Sequence, residues 1–377
     1  MKKRSKKFYF FSGLGLLIGL WAFVALFNTG GVLPTVDSLP EYTTPLARVS
    51  DMPGVSCKEH RIPIKLAADS TFDFDLVGQL CRMAGSEPAT LQVLVSGAGY
   101  GSNYWDFPYK PDTYSYARAA LRAGDAVFNF DRIGIGASDH PFGALLNVDV
   151  QAYTLHQALT VLAEAYDFEA VVTLGHSFGS VTALAHALQF PEQVDGVVLT
   201  GFIHNVNPIF GPTVGRAIDV APFAGPFTGN IFDPTYTVSK DMSRGDVFYT
   251  EGFVEDEVLV VDNLTRQTTA LGELITMSKY FSDQSKELQV PAAVIIGEND
   301  FVVCGGDLDC TDHAAVVANE EPYFPPASCL EVTVLDDTNH NANLHINAPE
   351  VFQLMQDWVA RRVGSAGNAA TDPCIPG

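Results

Sequence analysis

Basic side chains are scarce in this sequence: 22 Lys and Arg face 44 Asp and Glu, a formal net charge of −22. So acidic a body repels phosphate backbones and anionic lipid faces, which excludes nucleic acid as an expected partner. The sequence also lacks His, Cys and carboxylates clustered at metal-ligand spacing, and it lacks a Gly-Lys-Ser/Thr phosphate loop. Neither a metal nor another cofactor is expected. The six cysteines (Cys57, Cys81, Cys304, Cys310, Cys329, Cys374) lack the paired spacing of a zinc site, and an even set of this kind reads as disulfides. Proximity along the chain favours Cys57 with Cys81, Cys304 with Cys310 and, by remainder, Cys329 with Cys374. Internal repeats and low-complexity tracts are missing as well.

What cationic charge there is gathers at the start, in Lys2, Lys3, Arg4, Lys6 and Lys7. Once these five are set aside, 17 basic side chains remain against 44 acidic ones, a net −27. Behind them Phe8 to Phe27 runs for 20 residues without a charge, long enough to cross a bilayer as a helix. No small-x-small cleavage site follows before Asn28, so residues 1–27 read as a signal anchor, with a cleaved signal peptide as the alternative. In both cases the flanking cations keep the N-terminus cytoplasmic and the folded body extracytoplasmic, secreted or tethered to the membrane by this one segment. Residues 28–56, with Pro34, Pro40, Pro45 and Pro53, read as a tether. Asn263-Leu264-Thr265 is a lone glycosylation sequon.

A hydrophobic fraction of 47% suffices for one large α/β domain with an inserted lobe. Ile62 to Leu66 and Phe72 to Leu76 alternate apolar and polar residues around Asp69-Ser70, predicting a half-exposed hairpin. Six short apolar runs then predict buried parallel strands: Leu91 to Val95, Ala126 to Phe130, Ala170 to Leu174, Val194 to Leu199, Ala292 to Ile296 and Leu330 to Leu335. Leu155, Leu159, Leu162 and Tyr166 share one helix face; Val351, Leu354, Met355 and Trp358 mark a last helix begun near Asn347 and Pro349. The strand rhythm stops between Gly201 and Gln289, so residues 57–200 and 290–377 are expected to form a core interrupted by a cap over 201–289. Phe202, Ile209, Phe210, Phe223, Phe227 and Phe232 crowd the first part of that insert, and Val254 to Phe281 is more helix-like.

The run Ala170 to Leu174 ends in Gly175-His176-Ser177-Phe178-Gly179-Ser180, and Val181 to Gln189 then reads as an alanine-rich helix. A G-x-S-x-G match is weak alone, but between a strand and a helix it describes a turn strained enough to lift the serine hydroxyl above the sheet. A serine needs a base, and the base needs an orienting acid. Asp300 follows the run to Ile296, and His340 follows the run to Leu335. Singly, each reads as well as an ordinary loop residue; three groups at the ends of three strands in the order Ser177, Asp300, His340 carry the assignment. His345 is the rival base and Glu298 the rival acid, and His176 is read as a support of the turn.

On Gly175 to Ser180 the sequence resembles the α/β-hydrolase superfamily over roughly Leu91 to Val363, in the manner of capped serine esterases and lipases. Asp131-Arg132-Ile133-Gly134-Ile135-Gly136-Ala137-Ser138 is similar to the family's Asp, Gly, Gly, Ser loop, which makes Asp131 structural. Where the family carries His-Gly after its first long strand, this chain has Ser96-Gly97-Ala98; the resemblance implies an oxyanion hole from the N–H groups of Ala98 and Phe178. A serine nucleophile disfavours the chemistry of aspartate-using relatives such as haloalkane dehalogenases and epoxide hydrolases. The expectation is an α/β-hydrolase fold that cleaves a carboxylic ester of a small-molecule acyl substrate through an acyl-enzyme. Lactonase, amidase or peptidase, and perhydrolase activity can use the same triad, and a non-catalytic binding protein can use the same fold. No protein partner is indicated.

Overall fold

A computed structural model describes residues 46–224, 227 and 231–374. The Phe8 to Phe27 segment lies outside these, and among the described residues no helix is long and apolar enough to cross a membrane.

Along the chain come strands β1 (Val55–Ile64), β2 (Phe74–Met83) and β3 (Thr90–Val95), helix α1 (Tyr116–Ala123), β4 (Ala126–Asp131), α2 (Val148–Ala165), β5 (Ala170–His176), α3 (Phe178–Gln189) and β6 (Gly196–Thr200). The insert holds β7 (Ile218–Val220), β8 (Tyr236–Ser239), α4 (Asp256–Leu264), β9 (Thr268–Ala270) and α5 (Leu271–Thr276). It is followed by β10 (Ala292–Gly297), α6 (His313–Glu320), β11 (Glu331–Leu335) and α7 (Ala348–Arg362). One eight-stranded sheet runs in the order β1-β2-β4-β3-β5-β6-β10-β11, with β2 antiparallel to both its neighbours β1 and β4 and every other pairing parallel.

All six predicted strands form, because continuous Val, Leu, Ile and Ala runs satisfy a sheet covered on both faces. The helices α1 and α7 cover one face, α2 and α3 the other. The amide of Asn147 caps α2 by accepting from Val150 N at 3.0 Å. From β3 the chain steps outward to β4 and then crosses back to β5 on the other side, so β3 and β5 meet where the strand order reverses. Their carboxyl ends open the crevice in which ligands of open α/β sheets bind.

Three expectations need correction. Residues 46–56, expected to belong to a tether over 28–56, are part of the folded body: β1 starts at Val55, Val49 is buried, and Ala47 N donates to Pro108 O. The insert contains a three-stranded antiparallel sheet, β7-β8-β9, where no strand rhythm was expected. Strands of three or four residues are too short for alternation to register as a pattern. The sequon is closed: Asn263 is buried in α4, its amide donating to Asp241 and accepting from Met242 N. The disulfides pair as expected, Cys57–Cys81 joining directly opposed residues of β1 and β2, with Cys304–Cys310 and Cys329–Cys374.

Candidate active site

Between Val172 and Ala187 every residue is buried except Ser177. Its backbone stands at φ 54°, ψ −120°, a region that costs a non-glycine residue on the order of 1–3 kcal/mol. The turn can be this tight only because both glycines lack Cβ: one on Gly175 would lie 2.4 Å from Ser180 Cα, and one on Gly179 2.1 Å from Val95 O. Ser177 N donates to Thr200 O at 2.8 Å, tying the turn to β6.

Asp300 and His340 come together across 40 residues. His340 Nδ1 lies 3.0 and 2.9 Å from the two carboxylate oxygens of Asp300, which is fully buried. Asp300 also accepts from Val302 N, and His340 N donates to Asn339 Oδ1, so both side chains are held from their own loops. Gly201, next to the Thr200 that binds Ser177, backs onto the His340 ring: a Cβ there would lie 3.0 Å from its Cε1. Ser177 Oγ makes no hydrogen bond to a described group, and such bonds commonly tighten only when substrate is bound.

The rivals have other work. His345 Nδ1 donates to Asn341 O, and its Nε2 accepts from Thr250 N and Asn339 N, so neither ring nitrogen is left for a hydroxyl. Glu298 accepts from Asp337 N at the surface. With His313 and Asp336 it forms the one described set of ligand-type atoms within 4.8 Å of one another, and exposed acidic groups of this kind occur without a metal. His176 supports the turn: it stacks on Tyr104 at 4.2 Å and lies 4.8 Å from the His340 ring. Asp131 is structural, its two oxygens accepting from Ser102 N and Ala137 N.

Phe178 opens α3, where the first N–H groups have no partner within the helix. Ala98 follows the end of β3, and the Cβ position of Gly97 lies 3.2 Å from Ser177 Cβ. Neither the Ala98 nor the Phe178 N–H donates to a described group. Fixed main-chain donors at a helix start beside a nucleophile can receive an oxygen that gains negative charge.

The cap phenylalanines do not act as one wall. Phe202 and Phe227 are buried in the core clusters, Phe223 is 82% exposed and Phe232 45%. The phenylalanine ring packed on His340 is that of Phe248, 5.2 Å away, which nothing in the sequence had singled out. Arg132, Glu273, Arg244 and Asp262 around the Ala98 loop were also missed; Arg132 alone had a signal, its place after Asp131.

A second serine, histidine and carboxylate chain is present. His204 Nδ1 lies 2.8 Å from Glu320, and His204 Nε2 lies 2.8 Å from Ser285 Oγ. It joins both ends of the cap to α6. Ser285 is fully buried inside a 3-10 turn, with no strand-to-helix elbow to present it, so an acyl group has no approach.

Burial holds His140, His186 and His345 down at about 4, and burial with the neighbouring His340 holds His176 well below the usual imidazole range. The unfolded chain takes up these protons near pH 6.5, whereas the folded chain does not until about pH 4 at His140, His186 and His345, and His176 resists protonation in the same direction. Stability is therefore full above pH 6.5 and falls as pH drops through that window, by at most about 1.4 kcal/mol per pH unit for each histidine. Asp106, Asp125 and Asp131, raised by burial, oppose the fall at its acidic end. Melting temperature measured from pH 7 to 4.5 should drop steeply, and His186→Gln should reduce the slope. A flat profile in the native protein would contradict this.

The family model described as "Alpha/beta hydrolase family" matches residues 92–353. An uncharacterised protein of Mycobacterium tuberculosis is 33% identical over 159 residues, 41% of this chain and 42% of the relative. A proline iminopeptidase of Saccharolobus solfataricus is 27% identical over 172 residues, 45% of this chain and 50% of the relative. The chain thus spans about half the length of these relatives or less. Among solved structures, a thermophilic esterase from Thermogutta terrifontis aligns at a TM-score of 0.56 and 16% identity, covering 80% of this chain and 98% of that one; it shows the fold alone. With the elbow and the sheet topology, the family match over more than half of the sequence leads to one conclusion: this chain belongs to the alpha/beta hydrolase family.

Proposed function

We propose that the protein is a serine hydrolase cleaving carboxylic ester bonds, with Ser177 as nucleophile, His340 as general base and Asp300 as the group that orients the imidazole. The observation that carries this reading is the Asp300–His340 bond, whose carboxylate is fully buried and directed at Nδ1. A carboxylate on Nδ1 keeps the proton there, leaving Nε2 as the acceptor for a serine hydroxyl. Ser177 attacks the acyl carbon as its proton passes to His340 Nε2. The carbonyl oxygen becomes an oxyanion held by the N–H groups of Ala98 and Phe178. Collapse expels the alcohol, which takes the proton from His340, and water then repeats the sequence on the acyl-enzyme.

The reading extends to neutral, apolar acyl groups. Phe248 lies against His340, and Ala98 and Phe178 belong to one apolar cluster. The nearby cations Arg132 and Arg244 are already paired with Glu273 and Asp262, leaving neither to hold an anionic substrate. Each further buried methylene is worth roughly 0.8 kcal/mol. Apparent affinity should then rise about threefold or more per methylene until the cavity is full. A panel of acetyl to decanoyl esters, beside lactones and aminoacyl amides, tests this. A flat chain-length profile, or faster turnover of the amides, would replace the ester reading with another acyl transfer.

A further inference from the structure

We propose that Arg132 is a positioning residue for the oxyanion peptide, with Glu273 of the cap as the counter-ion that keeps it in place, so that acyl transfer depends on a seated cap. The inference rests on the serine hydrolase reading above.

Arg132 is 1% exposed and follows β4. Its Nε donates to Ser96 O at 3.0 Å and its Nη2 to Gly97 O at 3.1 Å. The Gly97 carbonyl and the Ala98 N–H belong to one peptide unit. In a trans peptide these groups point in opposite directions, so a guanidinium that holds the carbonyl turns the N–H away from itself. The planar fork on two successive carbonyls removes the freedom of that unit to rotate, and a charged donor on the carbonyl polarises the N–H, strengthening what it donates. The other side of the same guanidinium lies 4.7 Å from the centre of the Phe178 ring, and Phe178 supplies the second proposed donor. One cation therefore touches both residues proposed to form the hole, the Gly97–Ala98 peptide through its carbonyl and Phe178 through its ring.

Glu273 arrives from α5. Its Oε1 meets Arg132 Nη1 at 2.5 Å and accepts from Gln151 at 2.7 Å, and its Oε2 accepts from Ala270 N. The pair is almost wholly buried, where a guanidinium without a counter-ion would be costly. A second arginine, this one from the cap, repeats the arrangement: Arg244 donates to Gly99 O, lies 4.1 Å over the Tyr100 ring and is paired with Asp262. Carbonyls of Ser96, Gly97 and Gly99 are thus all drawn to guanidinium groups, two of the three to Arg132, in the loop that has serine where the family pattern has histidine.

The test uses the whole protein and a fluorophosphonate probe, an ester substrate and a trifluoromethyl ketone, whose bound adduct places an oxyanion in the hole. The double variant Arg132→Met/Glu273→Gln removes the pair without burying a lone charge. With the fold retained, its acylation rate and kcat should fall on the order of 10- to 100-fold and ketone affinity in parallel, with KM changed less than about threefold. Arg132→Lys, which can hold one carbonyl but not the fork, should recover part of the loss. If the double variant does not fold, Glu273→Gln decides, with about tenfold slower acylation expected at unchanged KM. A folded double variant, or in its place Glu273→Gln, with native acylation and ketone affinity overturns the inference alone. Failure of the wild type to label at Ser177 overturns it together with the reading on which it rests.

Discussion

Ser177→Ala is expected to abolish fluorophosphonate labelling and to lower ester turnover on the order of a millionfold, the scale on which a serine hydrolase loses activity when its nucleophile is removed. The fold should survive, because the hydroxyl makes no described hydrogen bond and alanine can occupy the same backbone. Ser177→Gly should be equally inactive but more stable than the alanine variant by about 1–3 kcal/mol, since glycine alone relaxes at φ 54°. Ser285→Ala is the control: it breaks the buried bond to His204 and should lower the melting temperature while labelling continues at the native rate. Labelling that persists in Ser177→Ala and disappears in Ser285→Ala would transfer the nucleophile to the buried chain and refute the assignment.

The two histidines five residues apart should separate along different axes. His340→Ala is expected to reduce kcat by on the order of 10⁵- to 10⁶-fold, because no other described imidazole is bonded to Asp300. His345→Ala should act mainly on stability. It leaves the buried N–H of Asn339 without its acceptor, at about 1–3 kcal/mol, and the half-buried N–H of Thr250 as well, at a smaller cost because water can reach it. The bond from His345 to Asn341 O is lost as well, so the loop around His340 loosens and kcat of the folded fraction should fall about tenfold. Chemical denaturation beside active-site titration distinguishes the two. A normal melting temperature with a millionfold loss in His345→Ala would reverse the roles.

The elbow, the parallel strands and the disulfide pairs were legible in the chain because each depends on local or nearly local facts. Gly175 and Gly179 had to flank Ser177 for a strand to turn into a helix within a few residues, and the six apolar runs could be buried on both faces only as sheet interior. Cys57 and Cys81 lay across one hairpin. The order Ser177, Asp300, His340 was readable for the same reason, since each sits just beyond a strand that announces itself.

Other features depended on which distant segments meet. His340 and His345 occupy the same loop and look alike in sequence; the acceptor and donors that saturate His345 separate them, and Thr250 comes from the cap. The pairing of Arg132 with Glu273 spans 141 residues, and neither local propensity nor spacing connects them. Ser285, His204 and Glu320 form a hydrogen-bonded chain like that of a triad, but Ser285 is buried in a 3-10 turn with no elbow to present it. The cap phenylalanines, read as one group from composition, divide into core and surface because short strands and 3-10 turns reverse the chain between them. Sequence alone determined where a nucleophile, an acid and a base could stand, because strand ends are written in local apolar pattern. Tertiary structure decided which histidine is bonded to Asp300 and what holds the Gly97–Ala98 peptide, because hydrogen-bond saturation and desolvation are properties of the neighbours a side chain acquires only on folding.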